Sequence, residues 1–249
     1  MPMDELLNLA VYAAEKAGDF LCRKCGITVD SCVGKDIKLS SDRQSEAIII
    51  ETLASSGIPI LSEECGYVGG ASNRHWIVDP LDGSMNYYKG LDDYACVSIA
   101  LWENGKPVLG VINRFARGEV FTGLPLYRVA ALNGKSIKPS DVVAAEDAVM
   151  ATGFSARWDY SDDGLLSFFG RVRRFKKVRM LGAAALMAVF VACGRVDAYF
   201  EEDIMLWDIA AAMAIVQAAG GCVSYQPKDG YKCAFKCFSQ KRLMEDFDA

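Results

Sequence analysis

Two stretches of the chain, residues 182–193 and 207–219, have the length of a helix and are apolar on nearly every side. A helix without a polar face has to be buried, so any fold of this chain must enclose both. The longest nonpolar run, Met180 to Cys193, is fourteen residues between Arg179 and Arg195. A membrane span needs about 20, so the expected cover is protein, and no membrane partner is expected. Residues 4 to about 25 carry Leu6, Leu7, Ala10, Val11, Ala14, Ala17 and Leu21 at helix spacing, one face inward. A second helix is expected from Ser41 or Asp42, either of which can cap it, to just before Gly57. The polar stretch between them, VGKDIKLSS, reads as a loop.

From Ile58 the pattern changes to short strands, IPIL, HWIV, ACVSIALW, PVLGVI and GEVFTG, separated by turn residues. Several connections are short, so part of this region is antiparallel. After about residue 139, AVMAT reads as a strand, 164–174 as a helix and DAYF (197–200) as a strand, with Gly220-Gly221 ending the last buried helix. This order predicts helices and sheets in layers, of mixed α+β and α/β character, and no single-wound barrel. One domain is expected over 1–249. Its first half, about 1–138, holds most of the acidic motifs; its second half is about 139–249.

With 52% hydrophobic and 24% charged residues in 249, disordered, collagenous and coiled-coil classes are excluded. A net charge of −5, from 27 basic against 32 acidic residues, lacks the basic footprint of a nucleic-acid binder. The N-terminus shows no basic segment followed by an apolar core, and nine scattered cysteines suit a reducing compartment, so a cytoplasmic location is expected. Cys22-x-x-Cys25, with Cys32 nearby and Cys233 and Cys237 downstream, invites a zinc reading. Only one histidine, His75, is present, so such a site would have to be all cysteine. Two cysteines on a first helix are ordinary, and His75 is expected to be structural.

Three acidic clusters end apolar segments: Glu63-Glu64 after IPIL, Asp79-Pro80-Leu81-Asp82-Gly83-Ser84 after WIV, and Asp208 opening the last buried helix. Singly, Asp82 and Asp208 read as helix N-caps. Together they suggest more. Pro80 stiffens the turn, Gly83 lets backbone approach a ligand, and Ser84 adds a hydroxyl. Two carboxylates and a carbonyl presented to one cation suit a hard ion, Mg²⁺ before Zn²⁺. If Gly83 and Ser84 open a helix, their N–H groups make an anion cradle beside it. Metal beside an anion cradle means phosphate chemistry.

At these residues the chain resembles the inositol monophosphatase family. WIVDPLDGSMNY matches the family signature D-P-I/L-D-G-T-x-N, LSEE lies upstream in the right order, and the LWD segment with its A-G-G ending lies downstream. The resemblance covers nearly the whole chain. It implies a layered αβαβα sandwich of the inositol monophosphatase and fructose-1,6-bisphosphatase type, commonly homodimeric. It also implies a lithium-sensitive phosphomonoesterase using two or three Mg²⁺ ions. Carried over by position, Glu63, Asp79 and the Leu81 carbonyl would hold one metal, and Asp79, Asp82 and Asp208 a second. Glu63 would reach a third through waters, and Glu64 would support the loop. Gly83 and Ser84 would hold the phosphate by N–H groups, with the Ser84 hydroxyl and Glu63 orienting the attacking water.

Gly182, Ala183, Ala184, Glu201 and Asp208 would meet the leaving group, Glu201 as the hydroxyl acceptor. Ala183 stands where inositol-specific members carry Ser or Thr. Lys35, beside Asp36, and Asp42 match positions near the phosphate or third metal, though Asp42 reads equally as a cap. The substrate expected is a small polyol or sugar phosphate of the inositol-1-phosphate type. Bisphosphate nucleotidase, fructose-1,6-bisphosphatase and histidinol phosphatase are alternatives on this fold, and a silent metal- or phosphate-binding protein is the alternative outside catalysis. Met85-Asn86-Tyr87 is nearer the inositol phosphatase pattern than the Lys-Glu-Phe of nucleotidases. The run Glu201-Glu202-Asp203 would favour a cationic leaving group unless its charges are solvated.

Overall fold

The computed structural model describes residues 1–24, 27–33, 36–70, 72–154 and 159–248, without the side chains of Val33 and Asp36. Cys25 and Lys35 lie outside the described residues, and with them the Cys22-x-x-Cys25 pair and the proposed reach of Lys35.

In chain order the elements are α1 (Met3–Cys22), β1 (Val29–Val33), β2 (Asp36–Leu39), α2 (Ser40–Leu53), β3 (Ile60–Ser62), β4 (Gly66–Val68), β5 (Arg74–Asp82) and α3 (Ser84–Tyr88). The strands β6 (Cys96–Glu103), β7 (Lys106–Arg114), β8 (Glu119–Leu124), β9 (Val129–Leu132) and β10 (Lys135–Ser136) follow as a meander. Then come β11 (Val149–Thr152), α4 (Asp162–Val172), β12 (Lys177–Arg179), α5 (Ala184–Ala192), β13 (Ala198–Met205), α6 (Leu206–Ala219), β14 (Cys222–Pro227), β15 (Lys232–Phe238) and α7 (Lys241–Asp248).

Eight strands form one sheet in the order β10-β9-β8-β7-β6-β5-β3-β4. Its neighbours are antiparallel except β3 and β5, which run parallel. A five-stranded sheet has the order β12-β11-β13-β15-β14, with β11 parallel to both its neighbours. The one-sided apolar stripe of α1 buries Leu6, Ala10, Ala13, Ala14, Ala17 and Leu21 with α2 on one face of the large sheet. On the other face lie α5 and α6, the two helices without a polar side, packed between the sheets. Beyond the small sheet, Phe168 and Val172 of α4 and Leu243 of α7 cover Met150, Phe200 and Phe238. The five layers are the expected αβαβα sandwich.

The middle layer is tight because two strands present glycine to it. A Cβ on Gly123 would stand 2.5 Å from the Ile215 Cα, and one on Gly110 would meet the Ala211 carbonyl. Backbone of α6 thus rests directly on β7 and β8. The helix ends where Gly220 takes φ 94°.

The segment expected as a loop before α2 is instead a short antiparallel hairpin, β1 with β2. Its polar side chains hide the alternation, and pairing is local. Among the described residues no helix is long and apolar enough to cross a membrane.

Candidate active site

Sheet register brings the first acids together. β3 and β5 run parallel with Ser62 beside Val78, so the next residues, Glu63 and Asp79, emerge side by side. The Glu63 N–H donates to the Val78 carbonyl at 3.2 Å. Against β6, Asp79 pairs with Ser98 but Asp82 with Cys96, so β5 carries one extra residue there, a bulge. Pro80 needs no ladder partner, which suits it to a bulge. The Leu81 N–H donates to Asp79 Oδ1 at 3.0 Å, closing the turn, and the Ser45 hydroxyl holds the Pro80 carbonyl at 2.8 Å.

The third acid comes from the middle layer. β13 runs into α6 with no residue between, and Asp208 in the first turn accepts the Met205 N–H at 3.1 Å. It closes the helix start from inside rather than as the N-cap residue. Ligand atoms of Glu63, Asp79 and Asp208 all lie within 4.8 Å of one another, the one such group among the described residues.

Asp82 is not a cap of the helix after it; that position belongs to Gly83, at φ 87°. Its carboxylate instead accepts the Ala184 and Ala185 N–H groups at 3.1 and 2.8 Å, serving the start of α5 about a hundred residues away. A Cβ at Gly83 would lie 2.6 Å from the Tyr94 carbonyl, so only glycine fits that turn. Asn86 Nδ2 bonds the Tyr94 and Leu181 carbonyls, both at 2.7 Å, tying the motif to the segment entering α5.

These groups line a cleft of about 440 Å³ whose walls include Glu63, Asp79, Leu81, Asp82, Gly83, Ser84, Gly182 and Asp208. Ala183, Ala184 and Glu201, expected at the leaving group, are not among the lining residues. Ala183 is buried, Ala184 faces Asp82, and Glu201 is 7% exposed. Ile37, Lys38, Met85, Met205 and Trp207 complete the lining. Nothing in the sequence separates Lys38 from other loop lysines. It pairs with Glu64 at 2.8 Å. Glu46 of α2, also unforeseen, takes the Glu64 and Cys65 N–H groups at 3.2 and 3.1 Å.

Asp42 sits in the first turn of α2 and closes its start from inside, the N-cap position being Leu39. Oδ2 accepts the Leu39 N–H at 2.7 Å, and Oδ1 lies 3.2 Å from the Ser84 hydroxyl. Ser84 Oγ is also 2.9 Å from the Leu81 carbonyl.

Electrostatically the cluster is under-neutralised. Burial, then the charges of Glu63, Asp82 and Asp208, hold the Asp79 carboxyl well above its ordinary range. Burial, then Glu63 and Asp82, does the same to Asp208. Burial and Glu64 push Glu63 up to about 7, and burial lifts Asp82 to about 6 against the pull of its α5 N–H bonds. Such acids ionise together only beside a cation, and an all-oxygen set fits a hard divalent one.

The remaining expectations fall outside the cleft. His75 is half-buried on β5, with Nδ1 3.2 Å from the Ser72 carbonyl and its ring 5.5 Å from Tyr67. Among the described residues no cysteines join a metal-binding group. The acidic run on β13 is largely neutralised: Glu202 pairs with Arg171 at 2.9 Å and Asp203 with Lys228 at 2.7 Å. Glu201, the first acid of the run, has the neutral Tyr199 hydroxyl as its partner.

A model of the inositol monophosphatase family matches residues 2–240. The chain is 36% identical over 247 residues to the Nus factor SuhB of Xylella fastidiosa, covering 95% of this chain and 84% of that protein. It is 35% identical over 232 residues to an inositol-1-monophosphatase of Mesorhizobium japonicum, covering 90% and 86%. The solved inositol monophosphatase of Anabaena (Nostoc) sp. PCC 7120 superposes with a TM-score of 0.86 at 30% identity, covering 98% of this chain and 94% of that one.

Proposed function

The chain belongs to the inositol monophosphatase family and is a phosphoric monoester hydrolase, and from that premise we propose an Mg²⁺-dependent phosphatase of small polyol or sugar phosphates, inositol-1-phosphate foremost. The observation that carries the metal reading is the convergence of Glu63, Asp79 and Asp208 from three separate elements within 4.8 Å. Glu63, Asp79 and the Leu81 carbonyl are the donors for one ion, and Asp79, Asp82 and Asp208 for a second. Glu63 serves a third through water. Asp82 Oδ2 takes both the Ala185 N–H and the Cys96 thiol, whereas Oδ1 spends one lone pair on the Ala184 N–H and keeps another for an ion.

When bound, Mg²⁺ neutralises the phosphate, lowers the pKa of a coordinated water and stabilises the leaving alkoxide. The protein's part is position and protons. Gly83 and Ser84 offer backbone N–H groups to the phosphate oxygens at the turn where a side chain is excluded. The Ser84 hydroxyl, with Asp42 Oδ1 as its acceptor at 3.2 Å and Glu63 opposite, orients the attacking water in line with the ester bond. No side chain is needed as a covalent nucleophile.

On the alcohol side, Glu201 accepts a substrate hydroxyl, with Gly182 to Ala184 forming the facing backbone. Ala183 offers no hydroxyl, so selectivity among polyols is expected to be broad. The paired charges of Glu202 and Asp203 favour a neutral leaving group over the amine of histidinol phosphate. Exposed Met85, Tyr88, Leu91 and Met180 around the Asn86 tether suit a homodimer contact beside the cleft mouth, and a cytoplasmic location agrees with the free cysteines. A purely binding role is disfavoured because every acid of the signature is retained.

The test is phosphate release from inositol-1-phosphate, fructose-1,6-bisphosphate, adenosine 3′,5′-bisphosphate, histidinol phosphate and β-glycerophosphate, with Mg²⁺ and with EDTA. Mg²⁺-dependent release led by the inositol ester is expected. Release that survives EDTA, or none from any ester, overturns the proposal.

A further inference from the structure

Glu201 is a buried carboxylate that the metal cluster does not explain. β13 alternates its faces: Tyr199 joins the core around α5, whereas Phe200 joins the core under α4. Two residues on from Tyr199, Glu201 shares its face. The fully buried Tyr199 donates its hydroxyl to Glu201 Oε2 at 2.9 Å, and its ring packs 6.0 Å from Phe235. On the neighbouring strand, Thr152 sits beside Phe200 and its hydroxyl bonds the Phe200 carbonyl at 2.7 Å. That register brings Gly153 over the carboxylate. A Cβ there would lie 2.7 Å from Glu201 Oε2.

A buried carboxylate held by a neutral hydroxyl is costly to keep ionised. Burial raises its carboxyl to about 7, and the charge of Asp82 adds to the effect. The charge of Glu201 in turn adds to the rise at Asp208. A carboxylate with one oxygen tied down has a defined direction for the other. Packing alone would be served better by an apolar side chain of the same volume.

We propose that Tyr199 is the positioning residue for alcohol recognition: its hydroxyl occupies Oε2 of Glu201, Gly153 makes room for the carboxylate itself, and the remaining oxygen is thereby held ready for a hydroxyl of the substrate's leaving group. This rests on Glu201 being the hydroxyl acceptor proposed above. Tyr199 itself touches no reacting atom. The device selects esters with a hydroxyl near the phosphate and is indifferent to esters without one.

Kinetics of Tyr199→Phe and Gly153→Ala on two esters test it: inositol-1-phosphate, and p-nitrophenyl phosphate, whose leaving group carries no alcohol hydroxyl. Tyr199→Phe is expected to raise KM for the inositol ester about three- to tenfold, the scale of one hydrogen bond. Its kcat on that ester, and both constants for the aryl ester, should stay within about twofold. Gly153→Ala presses on the same carboxylate and should act in the same direction, which guards against a poorly folded first variant. Equal losses on both esters would mean a merely structural role and overturn the proposal. An unchanged KM for the inositol ester in both variants overturns it too, while leaving Glu201 as acceptor intact wherever Glu201→Gln does raise that KM. If Glu201→Gln changes neither ester, the acceptor reading falls together with this one.

Discussion

Asp42 Oδ1 lies 3.2 Å from the Ser84 hydroxyl, while Oδ2 of the same carboxylate accepts the Leu39 N–H at 2.7 Å. One side chain therefore joins the start of α2 to the start of α3, two segments forty-two residues apart. Whatever fixes α2 also fixes the hydroxyl at the cleft.

If that hydroxyl orients the attacking water, Ser84→Ala should lower kcat by about 10²-fold. Asp42→Asn should cost less, because an amide oxygen still accepts. The double variant should cost little more than Ser84→Ala alone, since both changes break one link. Steady-state kinetics of the four proteins measure this, and full additivity would separate the two residues.

Asp79→Asn or Asp208→Asn should lower Mg²⁺-dependent turnover by about 10³-fold or more, since each removes a charge worth several kcal/mol of transition-state stabilisation. In EDTA the same variants should melt higher than the parent, because the amide removes a repelled, buried acid. Thermal melts with and without Mg²⁺ check both halves. A large Mg²⁺-induced rise in melting temperature in either variant would count against that residue as a ligand.

The raised carboxyls also set a pH dependence for the metal-free protein. Glu63, Asp42 and Glu201 are pushed up to about 7 and Asp82 to about 6. Groups raised on folding contribute stability that is complete below their unfolded values, near 4. That stability is lost as pH rises through 6 to 7. Melting temperature in EDTA should accordingly fall between pH 5 and 8, and Mg²⁺ should flatten the curve. A flat curve in EDTA would contradict the shifts.

Gly123→Ala should destabilise the fold. Its Cβ would meet the Ile215 Cα at 2.5 Å, and backbone at that contact cannot rotate away as a side chain can. Overpacking of this kind costs about 1–3 kcal/mol, or roughly 2–4 °C of melting temperature per kcal/mol at this chain length. Thermal denaturation reads it directly. No change would mean that α6 can lift from the sheet.

What the sequence revealed follows from the range of the forces involved. The buried helices, the first helix and the strands β3, β5, β6, β7 and β8 were legible because burial writes its period into neighbouring residues, whereas β9 and β10 were not read. The β1–β2 hairpin was not, since its side chains are polar and its pairing alone defines it. β12 and β14 left too little alternation to read, and β15, whose burial does alternate, was not read either. In the site, Glu63, Asp79, Asp82 and Asp208 stood out because like charges beside apolar strands need a reason. The partner of Asp82 on α5, the link from Asp42 to Ser84 and the cradle that Glu46 makes for the Glu64 turn were invisible. Each joins residues distant in the chain through backbone atoms or single hydroxyls, and no residue type announces such a contact.

Asp208 enters from α6, the helix pressed between the sheets, whereas Asp79 and Asp82 lie on β5 of the large sheet and Glu63 in the turn that leaves β3. A half-assembled chain, with its large sheet formed and its middle helix not yet seated, holds only part of the cation's cage. The full set of proposed donors therefore exists only once α6 is seated, and an ion bound there would withdraw free energy from every state in which that seating is undone. Divalent cation should slow unfolding of the seated helix more than it speeds early folding, making the ion a latch on the finished molecule.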